Sequence, residues 1–266
     1  MTHLSEPGHI TLDSRRLEAA WWGPSPAVAP TLVLLHEGLG CVALWRDVPA
    51  LLAAATGCGV FAYSRFGYGQ SDPQPLPWPL TYMQDHARDV LPHLLDAAGV
   101  REAVLIGHSD GGSIAAIYAG TAADRRVRGV VLMAAHFFVE DINLASIAGI
   151  RDEYLGGKLR ERLGRYHRDV DVAFHGWCDS WLHPDFRGFD ITGCLPDIDV
   201  PILGLQGAGD PYGTPGQIHA LQRLARGPCE TMLIPGARHS PHLEAKNATL
   251  AAIARFTRAC LPERVA

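Results

Sequence analysis

Lysine is scarce in this 266-residue chain: Lys158 and Lys246 are its two copies, and arginine carries the rest of the positive charge. Any mechanism that needs a lysine amine therefore has two candidates. A basic surplus is missing too, since Lys+Arg 23 against Asp+Glu 28 leaves a formal net charge of −5. That argues against a nucleic-acid binder, which needs a basic stripe to neutralise phosphates. No apolar run reaches the roughly 18 residues of a membrane span. The opening MTHLSEPGHITLDS lacks the basic start and apolar stretch of a secretory signal. These absences imply a cytoplasmic protein that acts on a small molecule, with no nucleic-acid or membrane partner and with homo-oligomerisation left open. The six cysteines (Cys41, Cys58, Cys178, Cys194, Cys229, Cys260) form no C-x-x-C and no short Cys/His spacing, so they read as buried thiols rather than a zinc site or disulfide framework. His239 and His242 lie three apart, but no carboxylate or cysteine at ligand spacing completes a metal set. No metal or other cofactor is expected.

What is present is an alternation. The apolar runs TLVLLH (31–36), GVFAYS (59–64), AVLIGH (103–108), GVVLMAA (129–135), PILGLQ (201–206) and ETMLIP (230–235) read as buried strands. HITLD (9–13) and LEAAWW (17–22) read as a leading hairpin. Helical segments are expected near 42–55, 81–98, 110–121, 215–225 and 243–260. This rhythm predicts one α/β domain with a largely parallel sheet covered by helices. Two stretches depart from it. SDPQPLPWPL (71–80) has a proline at every second position and is a stiff loop. Residues 137–195 separate two strands by far more than a crossover helix needs, so they are expected as an inserted subdomain between a first core part, 1–136, and a second, 196–266. Within the insertion Val170, Ala173, Phe174, Trp177, Trp181 and Leu182 share one helix face, which packs the insertion onto the body or roofs a pocket.

The chemistry centres on Gly107-His108-Ser109-Asp110-Gly111, between a strand and a helix. G-x-S-x-G in that context is a nucleophile elbow, a strained turn that lifts the serine hydroxyl to the strand end and leaves no room for side chains at the glycines. A serine needs a base, and the base an orienting acid. Asp210 follows the strand PILGLQ and His239 follows ETMLIP, so both loops emerge at the sheet edge that carries Ser109. His242, set further from the strand end, competes less well as the base. The oxyanion formed on acyl attack requires N–H donors, expected from the backbone of Asp110 and of Gly38 in the loop His36-Glu37-Gly38-Leu39-Gly40. His36 is expected to tie that loop down. Phe137, Phe138, Trp177 and Trp181 are candidates for an apolar substrate pocket, with Glu37 at its edge.

Together with Ser64-Arg65-Phe66-Gly67-Tyr68-Gly69-Gln70-Ser71-Asp72, Gly209-Asp210 and His239-Ser240-Pro241-His242, these motifs make the chain resemble the α/β-hydrolase fold superfamily, and within it the small serine esterases with a cap insertion. The resemblance implies an α/β fold with an eight-stranded, mostly parallel sheet and a helical cap after strand 6. It also implies Ser109 as nucleophile, Asp210 as acid, His239 as base, and Gly38 and Asp110 as oxyanion donors. Two departures stand out: Glu37 replaces a glycine of the first loop, and Ser64 replaces the aspartate of the D-x-R-G-x-G-x-S loop. A serine rather than an aspartate nucleophile argues against the dehalogenase and epoxide-hydrolase branches. The reading is therefore a carboxylesterase. Its alternatives are a C–C bond hydrolase or enol-lactonase of aromatic degradation, which would want an arginine such as Arg65, Arg151 or Arg238 in the pocket, and a slow-turnover ligand receptor. Gly38-Leu39-Gly40-Cys41-Val42-Ala43 also fits G-x-G-x-x-A, but the strand before it follows two earlier strands, which weighs against an NADP-dependent reductase.

Overall fold

The apolar runs become the strands of one sheet in the computed structural model, which describes residues 8–261. They are β1 (Gly8–Leu12), β2 (Arg15–Trp22), β3 (Thr31–Leu35), β4 (Gly59–Tyr63), β5 (Ala103–His108), β6 (Val127–Met133), β7 (Ile202–Gly207) and β8 (Cys229–Ile234). Their order across the sheet is β1-β2-β4-β3-β5-β6-β7-β8. β2 runs antiparallel to β1 and β4, and the remaining pairs are parallel.

Continuous hydrophobicity in the central strands follows from burial on both faces. Along β3, Val33 and Leu35 enter one hydrophobic cluster while Leu32 and Leu34 enter the other. α1 (Val48–Thr56) covers the second face through Val48 and Leu52. On the first face lie α2 (Tyr82–Asp85), α3 (Leu91–Ala97) and α4 (Asp110–Thr121). The long connection from β6 to β7 contributes α5 (Asp141–Leu155), α6 (Lys158–Leu163), α7 (Val170–Trp181) and two 3₁₀ turns, Pro184–Gly188 and Thr192–Asp197. Its Ile147, Tyr154, Leu159, Phe174 and Trp177 join the first-face cluster, so it shares the body's core. α8 (Gly216–Leu224), α9 (Pro241–Glu244) and α10 (Lys246–Cys260) complete the chain, α10 returning to the second face through Ile253 and Phe256.

Three expected helices are interrupted. The 42–55 segment is a 3₁₀ turn, Val42–Trp45, separated from α1 by Arg46 at φ 55°. The 81–98 segment widens into a π turn at His86–Val90 between α2 and α3, next to Pro92, which has no N–H to donate to the preceding turn. The 243–260 segment is broken at Ala245, whose φ of −126° is not helical. β6 ends earlier than its apolar run because Ala134 turns to φ 46°.

Candidate active site

β5 delivers the chain into a sharp turn at Ser109, whose φ of 52° and ψ of −120° belong to neither strand nor helix. A Cβ at Gly107 would meet the carbonyl of Gly111, and one at Gly111 the carbonyl of Leu35. The two glycines let strand and helix backbones approach this closely. His239 Nε2 lies 3.0 Å from Ser109 Oγ, and its Nδ1 lies 2.9 and 3.1 Å from the two carboxylate oxygens of Asp210. Asp210 is buried and also accepts from the Tyr212 N–H at 2.9 Å. Burial pushes its carboxyl up, but the hydrogen bond and charge of His239 outweigh this and hold it below the usual carboxylate range. A hydroxyl, imidazole and carboxylate in series can pass a proton from oxygen to nitrogen as the oxygen attacks an electrophilic carbon.

Behind this series sits an ion pair that the sequence did not announce. Glu37 Oε2 lies 3.3 Å from His108 Nδ1, and His108 Nε2 donates to the carbonyl of His239 at 2.7 Å. Both imidazole nitrogens face acceptors, which calls for an imidazolium. Burial opposes the charge on each partner, yet their mutual attraction raises His108 and depresses Glu37. Glu37 also packs its carboxylate where a Cβ of Gly40 would stand, and the Trp177 indole fills the corresponding space at Gly38. The G-x-G-x-x-A loop is thus occupied by the protein's own side chains.

Asp110 anchors a second buried network. Its carboxylate accepts from Tyr82 Oη at 2.6 Å and Trp181 Nε1 at 3.2 Å, with the Arg65 guanidinium 3.7 Å away. Burial still raises its carboxyl against the pull of Arg65. Neither the Asp110 nor the Gly38 amide donates to another main-chain carbonyl among the described residues. Arg65 also donates to the carbonyls of His36 and Glu37, and its own N–H donates to His36 Nε2 at 2.9 Å. His36, driven well below its ordinary range by burial and by Arg65, is a neutral brace for the loop.

A cavity of about 230 Å³ opens over Ser109, lined by Glu37, Gly38, Leu39, Asp110, His136, Ile147, Ile150, Leu159, Trp177, Trp181, Tyr212, His239 and Ser240. Trp177 and Trp181 line it. Phe137 and Phe138 do not, and that expectation is corrected. Gln217 clamps this segment, accepting from the Phe137 N–H at 2.8 Å and donating to the Phe138 carbonyl at 3.0 Å, while Phe138 bridges to Asp190. So held, Phe137 turns into the core and the preceding His136 faces the cavity. His242 is not bonded to Ser109; it is buried against His108 and Trp45, and burial takes it down to about 3. Arg151 pairs with Asp152 on the surface, and neither it, Arg65 nor Arg238 lines the cavity. Ser64 has a structural explanation: it donates to Glu18 Oε2 at 2.6 Å and accepts from the Val42 N–H at 2.9 Å, so β2 supplies the loop's carboxylate. Among the described residues no cluster of His, Cys, Asp or Glu could hold a metal ion, and no helix is long and apolar enough to cross a membrane.

The sequence is 28% identical over 218 residues to a non-heme chloroperoxidase of Streptomyces lividans, spanning 71% of this chain and 76% of that protein. The fold matches 2-hydroxy-6-oxo-6-phenylhexa-2,4-dienoate hydrolase of a Rhodococcus species at a TM-score of 0.80 and 18% identity, over 97% of this chain and 100% of that one. It also matches naproxen esterase of Bacillus subtilis at a TM-score of 0.71 and 19% identity, over 96% and 92% of the two chains. Residues 30–175 fit the sequence model of the α/β-hydrolase fold, and the chain belongs to that family.

Proposed function

We propose that the protein is a serine esterase that hydrolyses carboxylic esters of small, largely apolar molecules. The observation that carries this reading is the unbroken series from Ser109 Oγ through His239 to Asp210, at 3.0 and 2.9 Å, beneath a mostly apolar cavity. Ser109 attacks the ester carbonyl as His239 takes its proton. The oxyanion is held by the N–H groups of Gly38 and Asp110, and Asp210 steadies the imidazolium. His239 returns the proton to the departing alcohol, then activates the water that releases the acid. Residues 137–195 act as a cap whose Trp177 and Trp181 shape the pocket, with 1–136 and 196–266 forming the body. A cavity near 230 Å³ suits a small acyl or alcohol group. Its lining holds no arginine or lysine, which favours a neutral ester over the carboxylate-bearing substrate of a C–C hydrolase.

Hydrolysis of p-nitrophenyl esters of rising acyl length by wild type and Ser109→Ala tests this, with fluorophosphonate labelling read by mass spectrometry. Turnover lost in Ser109→Ala, peaking at a short acyl chain, is expected. His239→Ala should be similarly inactive and His242→Ala far less so; equal loss in two folded histidine variants overturns the assignment of the base. Absence of both turnover and Ser109 labelling overturns the triad.

A further inference from the structure

Among the polar groups on the cavity wall that have no part in that reaction is the imidazole of His136. The strand order β3-β5-β6 puts the loop bearing Gly38 and the residues after β6 on opposite sides of Ser109, so His136 stands across the nucleophile from the Gly38 donor. Its main chain is fixed. Ser113 Oγ donates to the His136 carbonyl at 2.7 Å and accepts from the His136 N–H at 3.2 Å. Its ring meets the Trp181 edge with centroids 5.2 Å apart and lies nearly parallel to His239 at 5.8 Å.

The protonation of this ring is dictated from outside the pocket. Asn143 Oδ1 accepts from the Glu140 N–H at 2.6 Å in the capping box of α5, so the amide oxygen faces the helix start. Asn143 Nδ2 then faces His136 Nδ1 at 3.2 Å. An amide nitrogen only donates, so Nδ1 keeps its lone pair and the neutral ring carries its proton on Nε2. Burial holds the ring neutral, taking it down to about 3. Nε2 has no hydrogen-bond partner among the described residues, although 97% of the residue's surface is covered; its exposure is 3%.

Building on the esterase reading, we infer that His136 presents a fixed Nε2–H donor to the substrate, and that the substrate carries a neutral accepting oxygen (ether, carbonyl or hydroxyl) beside its scissile ester. A substrate with only methylenes there covers the N–H without offering it an acceptor and is discriminated against. Gly38 and Asp110 take the scissile carbonyl oxygen, and His136 reads a second oxygen on the other side of Ser109.

Two measurements on the full chain decide it. Nitrogen-15 NMR of histidine-labelled protein, with His136 assigned by its absence in His136→Phe, should show Nε2 protonated and Nδ1 bare at pH 7; a proton on Nδ1 overturns the inference. Kinetics then compare isosteric esters, p-nitrophenyl methoxyacetate with butyrate on the acyl side and 2-methoxyethyl with n-butyl acetate on the alcohol side. In one pair the wild-type preference for the oxygen-bearing ester should drop about fivefold to tenfold in His136→Phe and return in His136→Gln, which retains an N–H donor. Ratios unchanged in both pairs overturn the substrate contact. Should wild type hydrolyse no ester, the esterase reading and the contact fail together, while the NMR result still decides the tautomer.

Discussion

The Nε2–H of His108 donates to the main-chain carbonyl of His239 at 2.7 Å, so the residue before Ser109 holds the loop that carries the His239 imidazole. Glu37 holds His108 in turn, linking the loop after β3 to the loop after β8 through one charged ring. Glu37→Gln removes the carboxylate that raises His108 and loosens this hold. We expect a stability loss of about 1–3 kcal/mol and a roughly tenfold fall in kcat/KM, carried mainly by kcat. Urea unfolding and steady-state kinetics on a p-nitrophenyl ester check both. An unchanged kcat would leave Glu37 a packing residue alone.

Ser109 stores backbone strain at φ 52°. Ser109→Gly relieves it, since glycine adopts positive φ freely. The variant should unfold at higher denaturant, by about 0.5–1 kcal/mol, while losing at least about 1,000-fold in kcat/KM. Stability equal to or below wild type would contradict the strain.

Trp177 covers Gly38 and closes one wall of the cavity. Trp177→Ala should move the preferred acyl chain at least two carbons longer and cost about 3–5 kcal/mol of stability for the lost buried indole. A chain-length profile that keeps its maximum would mean that acyl length is limited by other walls.

Acid should weaken the fold already above the ordinary carboxylate range. Burial lowers His86, His136 and His242 to about 3, and His36 well below 6.5. Unfolded histidines take up protons near 6.5, whereas these folded ones resist. Their contribution is thus present above pH 6.5 and lost as pH falls from there towards 3. Each histidine changes stability by at most about 1.4 kcal/mol per pH unit. His108 has the opposite sign, because its pKa is raised and its contribution is lost as pH rises. The four outweigh the one. Urea midpoints should be lower at pH 5 than at pH 7.5, and His242→Phe should reduce that difference. A flat profile would mean that these rings are charged in the folded protein.

Much of this was legible in the residues. Parallel strands covered on both faces must be apolar along their whole length, so β3 through β7 stand out as runs. A strained turn between strand and helix needs Gly107 and Gly111, so the elbow declares itself locally. Loops that follow parallel strands emerge at one sheet edge, so strand polarity by itself brings Asp210 and His239 near Ser109. Helix breaks at Arg46, His86–Val90 and Ala245 were not legible, because apolar periodicity continues across a residue whose backbone has left the helix.

The linear order of residues determined the fold, the strained turn at Ser109 and the order in which Asp210 and His239 follow it, because each depends on local backbone demands or on strand polarity. Tertiary structure alone decided the pairings Glu37–His108, Arg65–Asp110, Glu18–Ser64 and Asn143–His136. It also turned His136 rather than Phe137 and Phe138 towards the cavity. A hydrogen bond is selective over a few tenths of an ångström and joins loops from different strands, and no periodicity within one segment encodes where a second segment will lie.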